Sequence, residues 1–533
     1  MDSLSRREFA ELASLAVAGA LLPEHLAAER RDFALEEMTV AQLQDGMKAG
    51  RLTAHRIAQA YLDRIAALDR KGPALRAVLE LNPDALAIAD AMDAERRSGK
   101  TRGPLHGIPV IIKDNIDTHD RMQTTAGSLA LEGNVAERDA FLVERLRAAG
   151  AVILAKANLS EWANFRSTRS SSGWSGRGRQ CRNPYVLDRT PSGSSSGSAV
   201  SVSANLCAVA VGTETDGSII SPANACGIVG IKPTVGLVSR AGVIPIAHSQ
   251  DTPGPMGRTV ADAAALLAAL AGVDPRDSAT AQAEDHVGAD YTAVLDANGL
   301  KGARIGVQKR TGNNPIVDDV LEQAITVLRA GGAEVIDPVV IETAGQLGNN
   351  ERDVLQYEFK TDLNAYLAAM PAAVKTRTLA DLIAFNDANK DREMPFFGQE
   401  IFIASQARGP LTEQAYLDAR AKCLELTRTK GLDATMDSNK LDAMLGPSGG
   451  IASLVDLAGG GGGGGGAGSS QFPAVSGYPH ITVPAGFHFG LPLGISFYGR
   501  AWSEPGLIRL AYAFEQATKA RRPPTFIPTL TLS

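Results

Sequence analysis

Residues Pro191 to Thr234 read PSGSSSGSAVSVSANLCAVAVGTETDGSIISPANACGIVGIKPT, and this segment gives the strongest indication of how the chain folds. Serine and glycine alternate at its start, as they do where backbone N–H groups approach a ligand and hydroxyl groups face one another. Ala199 to Val211 is apolar, which predicts a helix followed by a strand. Because a flexible linker would lack that apolar run, we expect the segment to belong to a folded site.

Two other serine- and glycine-rich sites fit the segment poorly. A phosphate-binding loop requires Gly-Lys followed by Ser or Thr at the start of a helix, and no such triplet occurs in the segment. Gly193 to Gly197 has the spacing of a nucleophile elbow, but an elbow follows an apolar strand, and Asn183 to Pro191 is not one. Composition alone therefore leaves the chemistry of the segment open.

Apolar strands and amphipathic helices alternate on both sides of the segment. This alternation predicts an α/β fold: a single large domain with a mixed, mostly parallel twisted sheet covered by helices on both faces. The predicted strands lie at Ala77–Leu81, Ile108–Lys113, Val152–Ala155, Ala208–Val211, Arg304–Val307, Glu334–Ile336, Ala443–Leu445, Ile481–Val483 and Gly494–Tyr498.

Three segments depart from the alternation. Residues 167–198 are rich in Ser, Gly, Arg and Pro, which predicts a long loop of the kind that is often functional. Residues 341–430 are predicted to be mainly helical and to form a layer over the sheet. Gly459 to Gly466 is an unbroken run of glycines, and we interpret it as a surface loop without chemistry, or alternatively as an adaptable rim of a substrate cleft.

Composition excludes several classes of protein and site. With 44% hydrophobic and 21% charged residues, the 533-residue chain is neither disordered nor a multi-span membrane protein. Its net charge of −6 and the lack of a long basic block argue against a nucleic-acid partner. The four cysteines are widely separated, and no histidine pair has zinc-ligand spacing. We therefore expect no metal and no cofactor.

The first 28 residues differ from the rest of the chain. Arg6 and Arg7 precede a short apolar run from Leu12 to Leu22, and small residues follow near Ala28. This order is typical of a twin-arginine export signal, and the run is too short for a membrane span. The prediction is a removable signal at 1–28, a domain at 29–533 and a periplasmic or exported enzyme. The alternative is an amphipathic first helix on a cytoplasmic protein.

Three motifs together resemble the catalytic blocks of the amidase signature family. They are GIPVIIKDN at Gly107–Asn115, SGSSSGSA at Ser192–Ala199, and GTETDGSI at Gly212–Ile219 followed by CGIVGIKPT. The resemblance spans about residues 39 to 519. The stretches KANLSEWANFRS and YPHITVPAG are further similar to the peptide amidase branch, which removes the C-terminal amide of peptides. The family fold is the α/β domain expected above.

The resemblance implies a Ser-cisSer-Lys triad, with Ser218 as nucleophile, Ser194 as the cis-serine and Lys113 as base. Serine is a poor nucleophile near neutral pH and must lose its proton as it attacks. A lysine with a pKa of about 10.4 acts as a base near neutrality only after a drop of about 3 pKa units, which burial provides. Lys113 ends the apolar stretch Ile108–Ile112 and so has the required surroundings.

The resemblance also implies an oxyanion hole built from backbone N–H groups of Thr215, Asp216 and Gly217 with that of Ser218. Asp216 stands where many members have glycine, so its carboxylate is expected to turn away from the oxyanion. Ile220 stands where many members carry an arginine that favours anionic substrates. Its presence predicts a neutral or apolar acyl group.

The substrate is the part of the prediction with the most alternatives. We expect a monomeric amidase acting on a small-molecule or peptide amide, with C-terminal peptide amides first and aryl or fatty amides second. The amidase subunit of a tRNA-linked amidotransferase is the third possibility, disfavoured by Ile220 and the export signal. Candidate substrate contacts are Asn115, Gln123, Thr125, Trp162, Phe165, Ser195 and Ile220.

Overall fold

The computed structural model describes residues 33–310, 314–460 and 468–530. The predicted export signal and residues 461–466 of the glycine run lie outside these ranges. No helix in the described ranges combines the length and the apolar character needed to cross a bilayer.

Within the described residues, eleven strands form one mixed sheet. The strands are β1 (Val78–Leu81), β2 (Pro109–Lys113), β3 (Val152–Ala157), β4 (Val209–Glu214), β5 (Val229–Lys232), β6 (Thr252–Gly257), β7 (Arg304–Gln308), β8 (Glu334–Val339), β9 (Ala443–Pro447), β10 (His480–His488) and β11 (Leu491–Tyr498). Their order in the sheet is β1-β3-β2-β4-β6-β5-β10-β11-β9-β7-β8.

Helices flank this sheet. They are α1 (Val40–Lys48), α2 (Ala54–Leu68), α3 (Ala85–Arg97), α4 (Phe141–Ala148), α5 (Ser196–Ser203), α6 (Ile220–Ala225), α7 (Val260–Leu270), α8 (Pro315–Ala330), α9 (Asn350–Ala368), α10 (Leu379–Ala388), α11 (Lys390–Glu393), α12 (Glu400–Gln406), α13 (Gln414–Leu424), α14 (Ala434–Asn439), α15 (Gln471–Ser476) and α16 (Glu504–Thr518). A π-helical segment, Glu425–Asp433, joins α13 to α14.

The α/β class, the single domain and the mixed sheet are confirmed, but the share of parallel pairing is smaller than expected. Parallel pairs occur in two blocks, β3-β2-β4 and β9-β7-β8, and the strands between these blocks pair antiparallel. A tight hairpin accounts for part of the antiparallel pairing. Phe489 and Gly490 both have positive φ, as a two-residue hairpin turn requires, so β10 returns directly as β11 without a crossover helix.

The serine- and glycine-rich segment packs helix α5 directly against the first parallel block. Every residue of α5 is buried, and its small side chains allow the backbones to come close. A Cβ added at Gly197 would lie 2.3 Å from the carbonyl oxygen of Ala77 and 2.4 Å from that of Asn158, so only glycine fits there. The alternating small residues thus bring the start of α5 next to the carboxyl ends of β2 and β4.

Residues 350–433 form a helical layer with an apolar cluster of its own. Phe359 and Leu363 of α9 pack with Phe402 of α12 and with Trp162 and Ile246 from loops of the sheet domain. Because side chains from both parts share one cluster, the layer is fixed over the loops that follow β3 and β5. A cleft remains open between these parts.

Candidate active site

Lys113 is the last residue of β2 and is completely buried. Its Nζ donates to Ser194 Oγ at 2.8 Å, to Thr213 Oγ1 at 2.8 Å and to the Thr213 carbonyl at 3.2 Å. Burial lowers the pKa of Lys113 to about 7, although Asp251 and Glu214 act in the opposite direction. A neutral amine at this position can accept a proton from the Ser194 hydroxyl.

Three lysines are among the largest fully buried side chains, and the bonding partners of Lys113 set it apart from the other two. The Nζ of Lys156 donates to the Ile116 carbonyl and to Thr124, and that of Lys232 donates to the carbonyls of Pro233 and Tyr478. These partners fix loops and strand ends. Of the three, Lys113 is the one that donates to a serine.

Ser194 is buried beside the cleft and follows a cis peptide bond from Gly193. Its carbonyl accepts the Ser160 N–H at 3.1 Å, which fixes the loop before α5. A Cβ at Gly193 would lie 2.2 Å from Ser160 Oγ, so the preceding position requires glycine. The implied cis geometry at Gly193–Ser194 is therefore present in the structure.

Ser218 lies in the wall of a cavity of about 510 Å³ and is half-buried. Its carbonyl accepts the Ser195 N–H at 3.1 Å, which ties its loop to the start of α5. In the described parts of the chain, the Ser218 hydroxyl makes no protein hydrogen bond. The contact from Lys113 to Ser194 is thus formed, whereas the contact from Ser194 to Ser218 is not closed by a hydrogen bond.

The loop from Thr215 to Ser218 presents backbone donors to the same cavity, since all four of its residues line the wall. The N–H groups of Asp216, Gly217 and Ser218 have no acceptor among the described residues. Gly217 has φ +76°, a left-handed conformation that glycine adopts at little cost. Unpaired N–H groups at a cleft are what an oxyanion hole requires.

Two buried carboxylates hold this loop in shape. Glu214 Oε2 accepts the N–H groups of Ile219 at 2.6 Å and Ile220 at 3.0 Å, which turns the chain into α6. Asp251 Oδ1 accepts the Thr215 hydroxyl, and its other oxygen accepts the N–H groups of two residues of the loop after β5. Burial raises the pKa of Asp251 to about 6. No motif in the sequence predicts either carboxylate as part of the site.

The cavity is lined by both apolar and polar residues. Phe165, Ile246 and Leu355 are its large apolar residues, and the ring of Phe165 makes an edge-to-face contact with that of Phe359, with the ring centroids 5.0 Å apart. Its polar lining includes Ser192, Ser221, Ser448, Ser470 and Gln471. An acyl group with a neutral or apolar side chain and a hydrogen-bonding backbone would match this mixed lining.

Of the predicted substrate contacts, Phe165 lies in the cavity wall and the others lie elsewhere. Ser195 Oγ donates to the Thr213 carbonyl at 3.0 Å, and Asn115 donates to Thr213 Oγ1 at 3.0 Å, so both position the strand next to Lys113. Ile220 is fully buried because α6 begins at this residue and directs it into the core. Ser221, the next residue, reaches the cavity instead.

Gln123, Thr125 and Trp162 make contacts within the protein and do not line the cavity. Gln123 accepts the Gly133 N–H at 2.6 Å, and Thr125 donates to the buried Asp114 carboxylate. Trp162 has φ +50° and is buried against Phe402, so its ring points under the helical layer. The three residues that follow it, Ala163 to Phe165, line the cavity.

The described residues offer one group of side chains that could hold a metal ion: His248, Glu358 and Asp362, outside the cleft. The ring Nδ1 of His248 lies 2.8 Å from Asp362, and its Nε2 lies 3.5 Å from Glu358. Both Glu358 oxygens also accept hydrogen bonds, one from the Tyr416 hydroxyl and one from the Ser249 N–H. These contacts form an ion-pair cluster that joins α9 to the loop after β5.

Known proteins resemble this chain over most of its length. A sequence model of the amidase family matches residues 56–508, which include Lys113, Ser194 and Ser218. The native peptide amidase from Stenotrophomonas maltophilia is similar in structure, with a TM-score of 0.87 and 52% identity, over 93% of this chain and 99% of that chain. A probable amidase of Arabidopsis thaliana is 45% identical over 504 residues, 93% of each chain. A glutamyl-tRNA(Gln) amidotransferase subunit from Roseiflexus sp. is 35% identical over 492 residues, 91% of this chain and 97% of that relative.

Proposed function

Because the chain belongs to the amidase family and is an amide-hydrolysing enzyme, we propose that it releases ammonia from the C-terminal amide of peptides through an acyl intermediate on Ser218. The observation that carries the mechanism is the 2.8 Å contact between the buried Lys113 Nζ and Ser194 Oγ, next to the cavity lined by Ser218. This arrangement supplies a base for a serine without any histidine in the cavity wall.

Acylation begins when Ser218 Oγ attacks the carbonyl carbon of the carboxamide. The proton of Ser218 passes to Ser194, whose own proton passes to neutral Lys113. The N–H groups of the loop from Thr215 to Ser218 stabilise the negative charge that develops on the carbonyl oxygen, and each donor contributes about 3 kcal/mol. The C–N bond then breaks, and the leaving nitrogen takes a proton back through Ser194, so that neutral ammonia departs.

Deacylation repeats the steps with water as the nucleophile. The water proton moves through Ser194 to Lys113, and the oxygen attacks the acyl carbon. The ester bond to Ser218 breaks, and Ser218 regains its proton by the same route. The products are the free peptide acid and the original enzyme, so the cycle needs no other reactant.

The choice of a peptide amide is supported by the cavity and by the similarity to the Stenotrophomonas peptide amidase. The apolar lining residues Phe165, Ile246 and Leu355 suit the last side chain of a peptide, and polar lining residues such as Ser470 and Gln471 suit its backbone. Within the wall, no arginine or lysine offers a partner to a substrate carboxylate. Free glutamine is therefore expected to bind poorly.

A panel of amides tests the proposal. Purified enzyme is incubated with N-acetylated peptide amides, free glutamine, an arylamide and a fatty amide, and ammonia is measured against Ser218→Ala as the control. We expect peptide amides to give the highest kcat/KM and the control to lose about a thousandfold or more. Turnover of glutamine alone would reject the peptide-amide assignment, and an active Ser218→Ala enzyme would reject the nucleophile.

A further inference from the structure

Two carboxyl groups meet at the loop from Thr215 to Ser218, and the mechanism above uses neither side chain. Asp216 belongs to the loop of oxyanion donors, and Glu351 belongs to the first turn of α9 in the helical layer. Their carboxyl groups are in hydrogen-bond contact. Two ionised carboxylates in contact repel each other strongly, and a hydrogen bond between two carboxyl groups requires that one of them carries a proton.

Two glutamine side chains hold the Glu351 carboxyl group in place. Glu351 accepts Gln250 Nε2 at 3.3 Å on one oxygen and Gln471 Nε2 at 3.1 Å on the other. The same Gln250 amide lies 3.3 Å from the Thr215 carbonyl, so it connects Glu351 to the loop. The Asp216 side chain is also hydrogen-bonded to Ser470, which favours its ionised form, and its buried Oδ1 has no other hydrogen-bond partner within the described residues.

The charged and titratable groups around the pair come from three further elements. Lys232 at the end of β5 favours ionisation of Asp216, and the buried Glu214 at the end of β4 opposes it. Cys423 of α13 faces Glu351. Burial and the neighbouring Asp216 raise the pKa of Glu351 to about 8, which agrees with a pair that holds one proton at neutral pH.

We propose that Asp216 and Glu351 act as a proton-sharing positioning pair: the shared proton holds the oxyanion loop against the helical layer, and its loss ends turnover at alkaline pH. This inference rests on the proposed role of the loop. When the proton leaves, the new negative charge on Glu351 repels the Asp216 carboxylate. This repulsion displaces Asp216, whose backbone N–H faces the oxyanion. The same charge also opposes the negative charge of the transition state.

The test is the pH dependence of kcat with an N-acetylated peptide amide, which has no group that titrates between pH 6 and 10. Wild type is compared with Glu351→Gln, which keeps an N–H donor toward Asp216 but cannot ionise. Asp353→Asn is the matched control, because Asp353 is the other acidic residue of the same helical turn and pairs with Arg408 instead. We expect kcat of wild type and of the control to fall at least about tenfold between pH 7.5 and 9.5. In Glu351→Gln the fall should be less than about twofold.

An alkaline fall in Glu351→Gln equal to that in wild type would overturn the inference. If Glu351→Gln does not fold, Asp216→Asn replaces it: the pair then lacks the second carboxyl, and the alkaline fall should again disappear. The acid side of the profile, assigned to Lys113, should stay in place in either variant. Failure of the proposed mechanism would instead appear as an active Ser218→Ala enzyme, so the two failures are distinguishable.

Discussion

At the scale of single residues, function depends on the environment of one amine. Lys113 is an ordinary lysine by composition, and burial at the end of β2 shifts its pKa to about 7. A shift of this size corresponds to several kcal/mol of lost preference for the charged form. The bonds to Ser194 and Thr213 keep the neutral amine directed at the hydroxyl that it must deprotonate.

Replacing Lys113 by arginine should be nearly as damaging as replacing it by alanine. A guanidinium stays protonated in proteins, so Lys113→Arg keeps the charge and loses the base. We expect kcat/KM to fall by about a thousandfold in both variants, with binding of a peptide-acid product largely retained. An arginine variant with more than about a tenth of wild-type activity would mean that the lysine does not act as a neutral base.

The acid side of the pH profile should report the same lysine. Lys113 is active only when neutral, and its folded pKa lies near 7, so kcat should rise with pH and reach half its maximum near pH 7. Steady-state kinetics on a blocked peptide amide measures this midpoint. A profile that is flat down to pH 5 would assign the proton transfer to another group.

At the scale of elements, the helical layer is attached to the sheet domain through a buried charge cluster. Arg166 of the loop after β3 lies 3.1 Å from Glu161 and donates to the Glu393 carbonyl at 2.7 Å, and all three residues are fully or almost fully buried. The Glu393 carboxylate accepts from Ser128 and from the Leu129 N–H. One cluster therefore joins α11 to the loop after β3 and to the loop between β2 and α4.

Arg166→Ala should destabilise the protein by about 3–5 kcal/mol, because it leaves the buried Glu161 carboxyl group without its cation and the buried Glu393 carbonyl without its donor. Urea unfolding followed by circular dichroism measures the loss. Arg169→Ala is the matched control: Arg169 is an exposed arginine three residues further along, and its removal should change stability by less than about 0.5 kcal/mol. Equal effects of the two substitutions would show that the cluster does not hold the layer.

At the scale of the whole molecule, the cleft is assembled from distant parts of the chain. Gly193 and Ser218 come from the segment around α5, Leu355 from α9, and Ser448 and Gln471 from the region after β9. The helical layer packs on loops of the sheet domain, and the cavity forms between these parts. The predicted export signal precedes the first described residue, and its removal should leave this assembly intact.

We therefore propose that the chain is exported in folded form and cleaved near residue 28. Mass spectrometry of the protein recovered from its native host should give an N-terminus close to that position. Mutation of Arg6 and Arg7 to lysine should keep the uncleaved chain inside the cell, with amidase activity still present in the lysate. A mature protein that retains residues 1–28 would reject the export assignment.

Sequence by itself determined the local parts of this protein: the apolar strand that ends in Lys113, the small-residue helix after Ser194, and the α/β class with a helical segment after residue 341. These follow from contiguous patterns, because periodicity and residue size act over a few neighbours. The tertiary structure decided which side chains face the cavity. Ile220 turned into the core, Ser221 into the cleft, and Glu351 met Asp216 across 135 residues. Such contacts depend on how separate elements pack, and no short stretch of sequence contains that information.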